Sequence, residues 1–213
     1  MTKRPAASAS DQRPYHHGDL RSALLERGRK ILRTEGLEGL TLRAVARAAG
    51  VSQTAPYRHF ADRRALMGAI AADGFRELHR AMGEAMAHGG GREGFKGVAF
   101  AYVRFAQANP ALYRVMFGPE VANTADLPEL ASASRASLGF VQAGLEQLQI
   151  AGLVREGDAA IMAIGLWAAL HGHASLILDG QAETVTPNID TLVESTAQLV
   201  MFGLAPRAGT PGR

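Results

Sequence analysis

Cysteine is absent from the 213 residues, which removes disulfides and thiolate chemistry together. Aromatic residues are scarce at 6%, and there is a single tryptophan, Trp167. The stretch from Leu20 to Leu32 is broken by charges, and no uninterrupted apolar run is read as approaching the ~20 residues of a bilayer span. The opening "MTKRPAASASDQRP" is basic but lacks an apolar stretch behind it, so it does not read as a secretory signal. The expectation is a cytoplasmic protein without membrane contact. Catalytic signatures are missing too: there is no G-x-S-x-G, no H-E-x-x-H and no P-loop. No paired acid and base stand out in the rear half. The chain is read as neither an enzyme nor a cofactor or metal carrier.

Apolar residues make up 47% and charged residues 20%, an ordinary balance for a globular chain. The length suits one large domain or two small ones. Charge is unevenly placed. Residues 1–64 carry 13 Lys and Arg against 6 Asp and Glu, a net of +7, and residues 65–213 carry 10 against 14, a net of −4. A basic front and an acidic rear suit a chain whose front meets a polyanion. A merely solvated basic surface gives the same count.

Apolar residues recur at helical spacing almost everywhere, and no convincing strand appears, so the fold class is all-α. Residues 1–14 and 204–213, rich in Pro, Gly, Ala and Ser, are expected as disordered arms. Leu20, Ala23, Leu24, Ile31 and Leu32 mark a first helix that stops near Gly36. Thr41 is a good N-cap for "LRAVARAA", which Gly50 ends. Ser52 or Gln53 opens a short third helix, and Asp62 caps a long fourth one over about 63–87. Further helices are expected near 95–108, 110–117, 127–151, 158–178 and 188–202. "GGGREG" formally matches G-x-G-x-x-G, but a helix rather than a strand precedes it, so residues 89–94 are read as a loop.

The segment from Thr41 to Phe60 has the layout of a helix-turn-helix. Val45, Ala46, Ala49, Val51, Pro56 and Phe60 form a small shared core. Pro56 lies in the first turn of the second helix, where an N–H is unpaired in any case, so it starts the helix rather than breaking it. Such a helix presents its N-terminal residues to base edges, which places Gln53, Thr54 and Ala55 for reading bases. Tyr57, Arg58 and His59, a turn further on, reach toward phosphates, as do Thr41 and Arg43 at the preceding helix. Arg63 opens the fourth helix, whose positive dipole end also favours phosphate. Taken singly, Tyr57 and His59 fit a small core equally well.

Residues 20–70 resemble the DNA-binding domain of the TetR family of transcriptional regulators. The resemblance rests on the G-L-x-x-L-T-L-R lead, the A-G-V-S turn, Y-R-H-F and the basic Arg63 three places later. Where many members carry an apolar residue such as Leu before the Tyr, this chain has Pro56. "YHHGDLR", "YVRFAQANPALYRVMFGPE" and "LWAALHGHASLILDG" are similar to a TetR subgroup with a Trp…His-Gly signature, here Trp167, His171 and Gly172. The resemblance implies a helix-turn-helix domain over 15–64 and a ligand-binding, dimerising domain over 65–203. It implies a homodimer on a palindromic double-stranded DNA operator, acting as a repressor that a small-molecule effector releases. An architectural DNA binder without effector and a helical enzyme are the competing readings.

The rear half agrees with this on its own terms. Residues 158–179 are apolar nearly all round as a helix. Gly165, Ala168, Ala169, Gly172 and Leu176 make a stripe of mostly small residues. Ile189, Leu192, Val193, Thr196, Leu199 and Val200 make another, and two such helices per subunit build a four-helix interface. The core of a monomer would use the same stripes. Tyr102, Phe105, Met116, Phe117, Val141, Trp167 and His171 are the candidate lining of an effector pocket for an apolar or amphipathic molecule, and plain core packing accounts for them equally. His171 and His173, two apart on a helix, point to nearly opposite sides and cannot chelate one ion.

Overall fold

A computed structural model describes residues 17–184 and 188–205, and every regular element among them is helical. The expected N-terminal arm and all but the first two residues of the expected tail lie outside the described residues. Eight α-helices follow in order: α1 (His17–Gly39), α2 (Leu42–Ala48), α3 (Arg63–Gly89), α4 (Gly91–Ala108), α5 (Pro110–Met116), α6 (Pro128–Ile150), α7 (Ala159–Leu178) and α8 (Ile189–Leu204). Local chemistry sets many of their ends. Thr41 Oγ1 accepts from the Ala44 N–H at 3.1 Å, Asp62 Oδ1 from Ala65 at 2.7 Å, and Asp158 Oδ1 from Ala160 at 2.9 Å. Pro110 and Pro128 stand in the first turns of α5 and α6. α1 is interrupted at Gly36, where φ is 72°.

Two expectations are corrected. Residues 89–94 are not a loop: the chain turns at Gly90 and Gly91, both with positive φ, and α4 runs on from Gly91. The segment after Ser52 does not form an α-helix but a single 3-10 turn over Ala55–Arg58. Pro56 removes a donor from this stretch, and the chain closes it with the tighter spacing, Tyr57 N–H to Thr54 O at 3.2 Å and His59 N–H to Pro56 O at 2.9 Å.

α3 organises the molecule. Its first turns pack under α1, and its remainder is clasped by α4, α5 and α6. Leu66, Met67, Ile70, Phe75, Leu78 and Met82 are all buried along it. Gly74 lets α5 come close, since a Cβ there would sit 2.6 Å from Met116 Sδ. The buried residues form one continuous core from Leu24 in α1 to Ala197 in α8. Arginines fasten the front to the rear. Arg21 of α1 meets Glu129 of α6 at 2.7 Å, and Arg29 of α1 pairs with Glu77 of α3. The Arg64 guanidinium donates to Asp126 and to the carbonyls of Glu120 and Asn123 between α5 and α6.

α7 corrects a further expectation. With a mean hydropathy of 1.6 over its best window and no charged residue, it is long and apolar enough to cross a membrane. Here it packs against α4 and α6, with Met162, Ala163, Leu166, Leu170 and His173 buried. Its opposite face is bare: Ile161, Ile164, Gly165, Ala168, Gly172 and Leu176 are exposed.

Candidate functional site

The front of the molecule is a three-element head. α2 ends at Ala48, and Gly50 adopts φ 70°, a value that costs a β-carbon-bearing residue about 1 kcal/mol or more. The turn closes through Val51 N–H to Ala46 O at 3.1 Å. The 3-10 turn is anchored from within by Pro56 and Phe60, both buried, with Arg21 stacked 5.6 Å over the Phe60 ring. Facing outward are Gln53, Thr54, Tyr57 and Arg58, together with Thr41 and Arg43 of the α2 start. Tyr57 is 52% exposed, far more than an aromatic side chain in a core. Ala55 is half-buried.

Two of the expected phosphate contacts are placed differently. Arg63 is half-buried, donating from Nε to Leu40 O at 2.7 Å and from a terminal nitrogen to Leu37 O at 2.6 Å. It satisfies carbonyls at the end of α1, so its guanidinium is a structural clamp of the head. His59 is also half-buried, its ring against Phe60, and its Nε2 is buried without a partner. Both side chains are thus partly engaged inside the head rather than projecting fully from it.

Two of the cavities in the rear are separated by aromatic rings. The inner one is a slot between α3, α4, α6 and α7, bounded by Leu78, Met82, Tyr102, Val141, Trp167 and Leu170 among others. Its volume is only about 20 Å³, room for one water, against the ~300 Å³ or more that drug-sized ligands occupy. Of the expected lining, Tyr102, Val141 and Trp167 are present. Phe105 and Met116 are buried elsewhere in the core. Phe117 and His171 line a second, outer cleft of about 220 Å³ between α5 and α7, with Tyr113, Arg114, Ser175, Leu178 and Asp179. Leu78, Met82 and Tyr113 were not anticipated, because an apolar side chain on a buried face carries no mark that distinguishes lining from filling.

A hydrogen-bonded chain joins the two cavities. The Trp167 indole N–H donates to the Tyr102 hydroxyl at 2.9 Å, the Tyr102 and Tyr113 hydroxyls are 2.9 Å apart, and Tyr113 lies 2.7 Å from His171 Nδ1. Burial pushes the Tyr102 phenol up to about 12 and the Tyr113 phenol upward as well, while it lowers the His171 imidazole. All three are therefore neutral at neutral pH. His173 faces elsewhere, with Nδ1 3.0 Å from Thr196 Oγ1 of α8.

Comparison with known proteins agrees with this arrangement. Residues 24–70 match the profile of "Bacterial regulatory proteins, tetR family", and residues 95–200 match "Tetracyclin repressor-like, C-terminal domain". A solved structure of a protein of unknown function from Rhodococcus sp. RHA1 is 37% identical, with a TM-score of 0.80 over 91% of this chain and 100% of that one. The TetR family regulator PfmR from Thermus thermophilus shares the fold at 19% identity, with a TM-score of 0.64 over 84% of this chain and 97% of that one. A TetR family regulator from Marinobacter aquaeolei VT8 does so at 18% identity and a TM-score of 0.67, over 88% and 96% of the two chains. A search of curated protein sequences found no match. The chain belongs to the TetR family and is a DNA-binding transcriptional regulator.

Proposed function

We propose that this regulator is a homodimeric repressor that a small apolar or amphipathic effector releases from a palindromic operator. The observation that carries the reading is the run of α3. The helix begins in the head, where Arg63 holds the end of α1, and continues to Phe75, Leu78 and Met82 at the inner slot. A molecule that widens the slot displaces the same helix that positions the head. The head spans 15–64 and the effector and dimer body 65–203. Gln53, Thr54 and Ala55 read bases, and Arg43, Tyr57 and Arg58 hold phosphates.

The bare face of α7 supports the dimer. Ile161 is 69% and Ile164 55% exposed, and they flank Gly165 and Gly172, where no heavy atom lies within 4 Å of an added Cβ. A second copy of the same helix fills that space and covers the apolar stripe. Two heads related by a two-fold axis call for two half-sites of inverted sequence. Trp167 and His171 belong to one hydrogen-bonded cluster, which favours the subgroup with the Trp…His-Gly signature. As a DNA-binding regulator it acts in the cytoplasm.

The test is selection of binding sites from a random duplex pool, followed by competition. A regulator binds its selected site at least ~10³-fold more tightly than random duplex. Equal competition by random duplex refutes the operator reading and leaves an architectural DNA binder.

A further inference from the structure

We propose that the cleft between α5 and α7 recognises the carbonyl oxygen of an uncharged effector through the Nε2–H of His171, while the effector's apolar body enters the slot beside Trp167. This rests on the effector reading above and adds the chemistry of the head group.

Donor counting fixes the imidazole. An indole N–H only donates, so the Tyr102 oxygen accepts from Trp167. If His171 Nδ1 carried a proton, it would donate to Tyr113, and Tyr113 would donate to Tyr102. The Tyr102 proton would then have no acceptor, in a residue only 3% exposed. Running the chain the other way uses every donor: Trp167 to Tyr102, Tyr102 to Tyr113, Tyr113 to Nδ1. Nδ1 is thus the acceptor, and the single proton of the neutral ring sits on Nε2. Nε2 has no hydrogen-bond partner among the described residues, and His171 lines the open cleft. The site offers a donor and asks for an acceptor.

The charge of the cleft selects against an ionised head. Its cation, Arg114, is held by Asp179 at 3.2 Å and by the Leu178 carbonyl at 3.1 Å. Arg114 and Asp179 cancel, so the cleft carries no net charge to favour a carboxylate. The slot in turn rejects a polar head, since its one hydroxyl beyond Tyr102, that of Ser137, is already spent on the Phe75 and Ala133 carbonyls. The two compartments meet at Phe117, whose ring centre is 4.5 Å from that of His171 and 5.9 Å from Trp167. A ketone, ester or amide whose aliphatic body widens the slot suits the chemistry of both compartments.

Two experiments on the full-length protein decide the matter. Histidine-selective ¹⁵N NMR without ligand should show His171 unprotonated at Nδ1 and protonated at Nε2; the opposite tautomer overturns the proposal. Trp167 fluorescence should then be titrated with 2-octanone, octane and octanoate, alongside release of the selected duplex. The ketone should bind roughly tenfold or more tightly than either analogue, the worth of one buried hydrogen bond. His171→Leu should abolish that preference, and His171→Gln, which keeps an outward N–H, should retain most of it. Equal binding of 2-octanone and octane, or a preference that survives His171→Leu, overturns the head-group proposal. If either compound still releases the duplex, the effector reading stands without it. Absence of both binding and release for all three compounds refutes the two together.

Discussion

Gly172→Leu should split the dimer without harming the protomer. Gly172 and Gly165 lie seven residues apart on the bare face of α7, two turns along the same side. In the protomer a Cβ at Gly172 meets nothing within 4 Å and the position is exposed, so the new side chain starts into open space. Glycine is also a poor helix residue, and its replacement should steady α7 by up to about 1 kcal/mol. Against a second copy the sign reverses. Overpacking a tight contact costs about 1–3 kcal/mol, and a two-fold axis imposes the clash twice, for roughly 2–6 kcal/mol in all. The dimer Kd should therefore weaken by about 30-fold to 10⁴-fold. Sedimentation equilibrium over a concentration series measures that constant, and far-ultraviolet circular dichroism monitors the helices of the protomer. An unchanged Kd would place the interface elsewhere. Loss of helix at every concentration would mean that the α7 face is packed within the protomer.

Further outcomes follow from the head and the buried histidines. Arg63→Ala should lower stability by about 1–3 kcal/mol in urea titrations, because the Leu37 and Leu40 carbonyls lose their donor, and should leave the salt dependence of DNA affinity nearly unchanged. Arg58→Ala, whose side chain is exposed, should instead flatten the slope of log K against log salt by about 1 per half-site contact in fluorescence anisotropy. Gln53→Ala should cost about 1–3 kcal/mol on the selected site and little on scrambled duplex; equal losses on both would move base reading to Thr54 or Arg58. Burial lowers His171 and His173 below their ordinary 6.5, so the unfolded chain takes up protons first as pH falls through that value. The urea midpoint should drop between pH about 7 and 5. Replacing both residues by Gln should flatten the drop, and a midpoint that is flat in the wild type would refute the burial argument.

The head was legible in the sequence because its determinants are local. Thr41 caps a helix three residues away, Gly50 supplies a left-handed turn, and Pro56 fixes a first turn. Each acts within a few bonds of its own position, and the family motif spans the same segment. The helices of the rear half were legible for a similar reason, through their 3.6-residue periodicity and their Pro and Asp starts. Even so, the segment around Pro56 is a 3-10 turn rather than the expected α-helix, with bonds that close over three residues.

Partnership over long separations was invisible. Arg63 reads as a basic residue at a helix start, and only the return of α1 beneath α3 brings the Leu37 and Leu40 carbonyls to it. Tyr102, Tyr113, Trp167 and His171 sit on three helices, and their hydrogen-bonded order exists only once α4, α5 and α7 converge. Residue type could name an aromatic set, but not which ring lines the slot, which lines the cleft and which fills the core. α7 shows the limit most plainly. A helix apolar on every side has no preferred face of its own. The sequence determined that α7 is apolar on every side, and the packing of α4 and α6 decided which side is covered within the protomer.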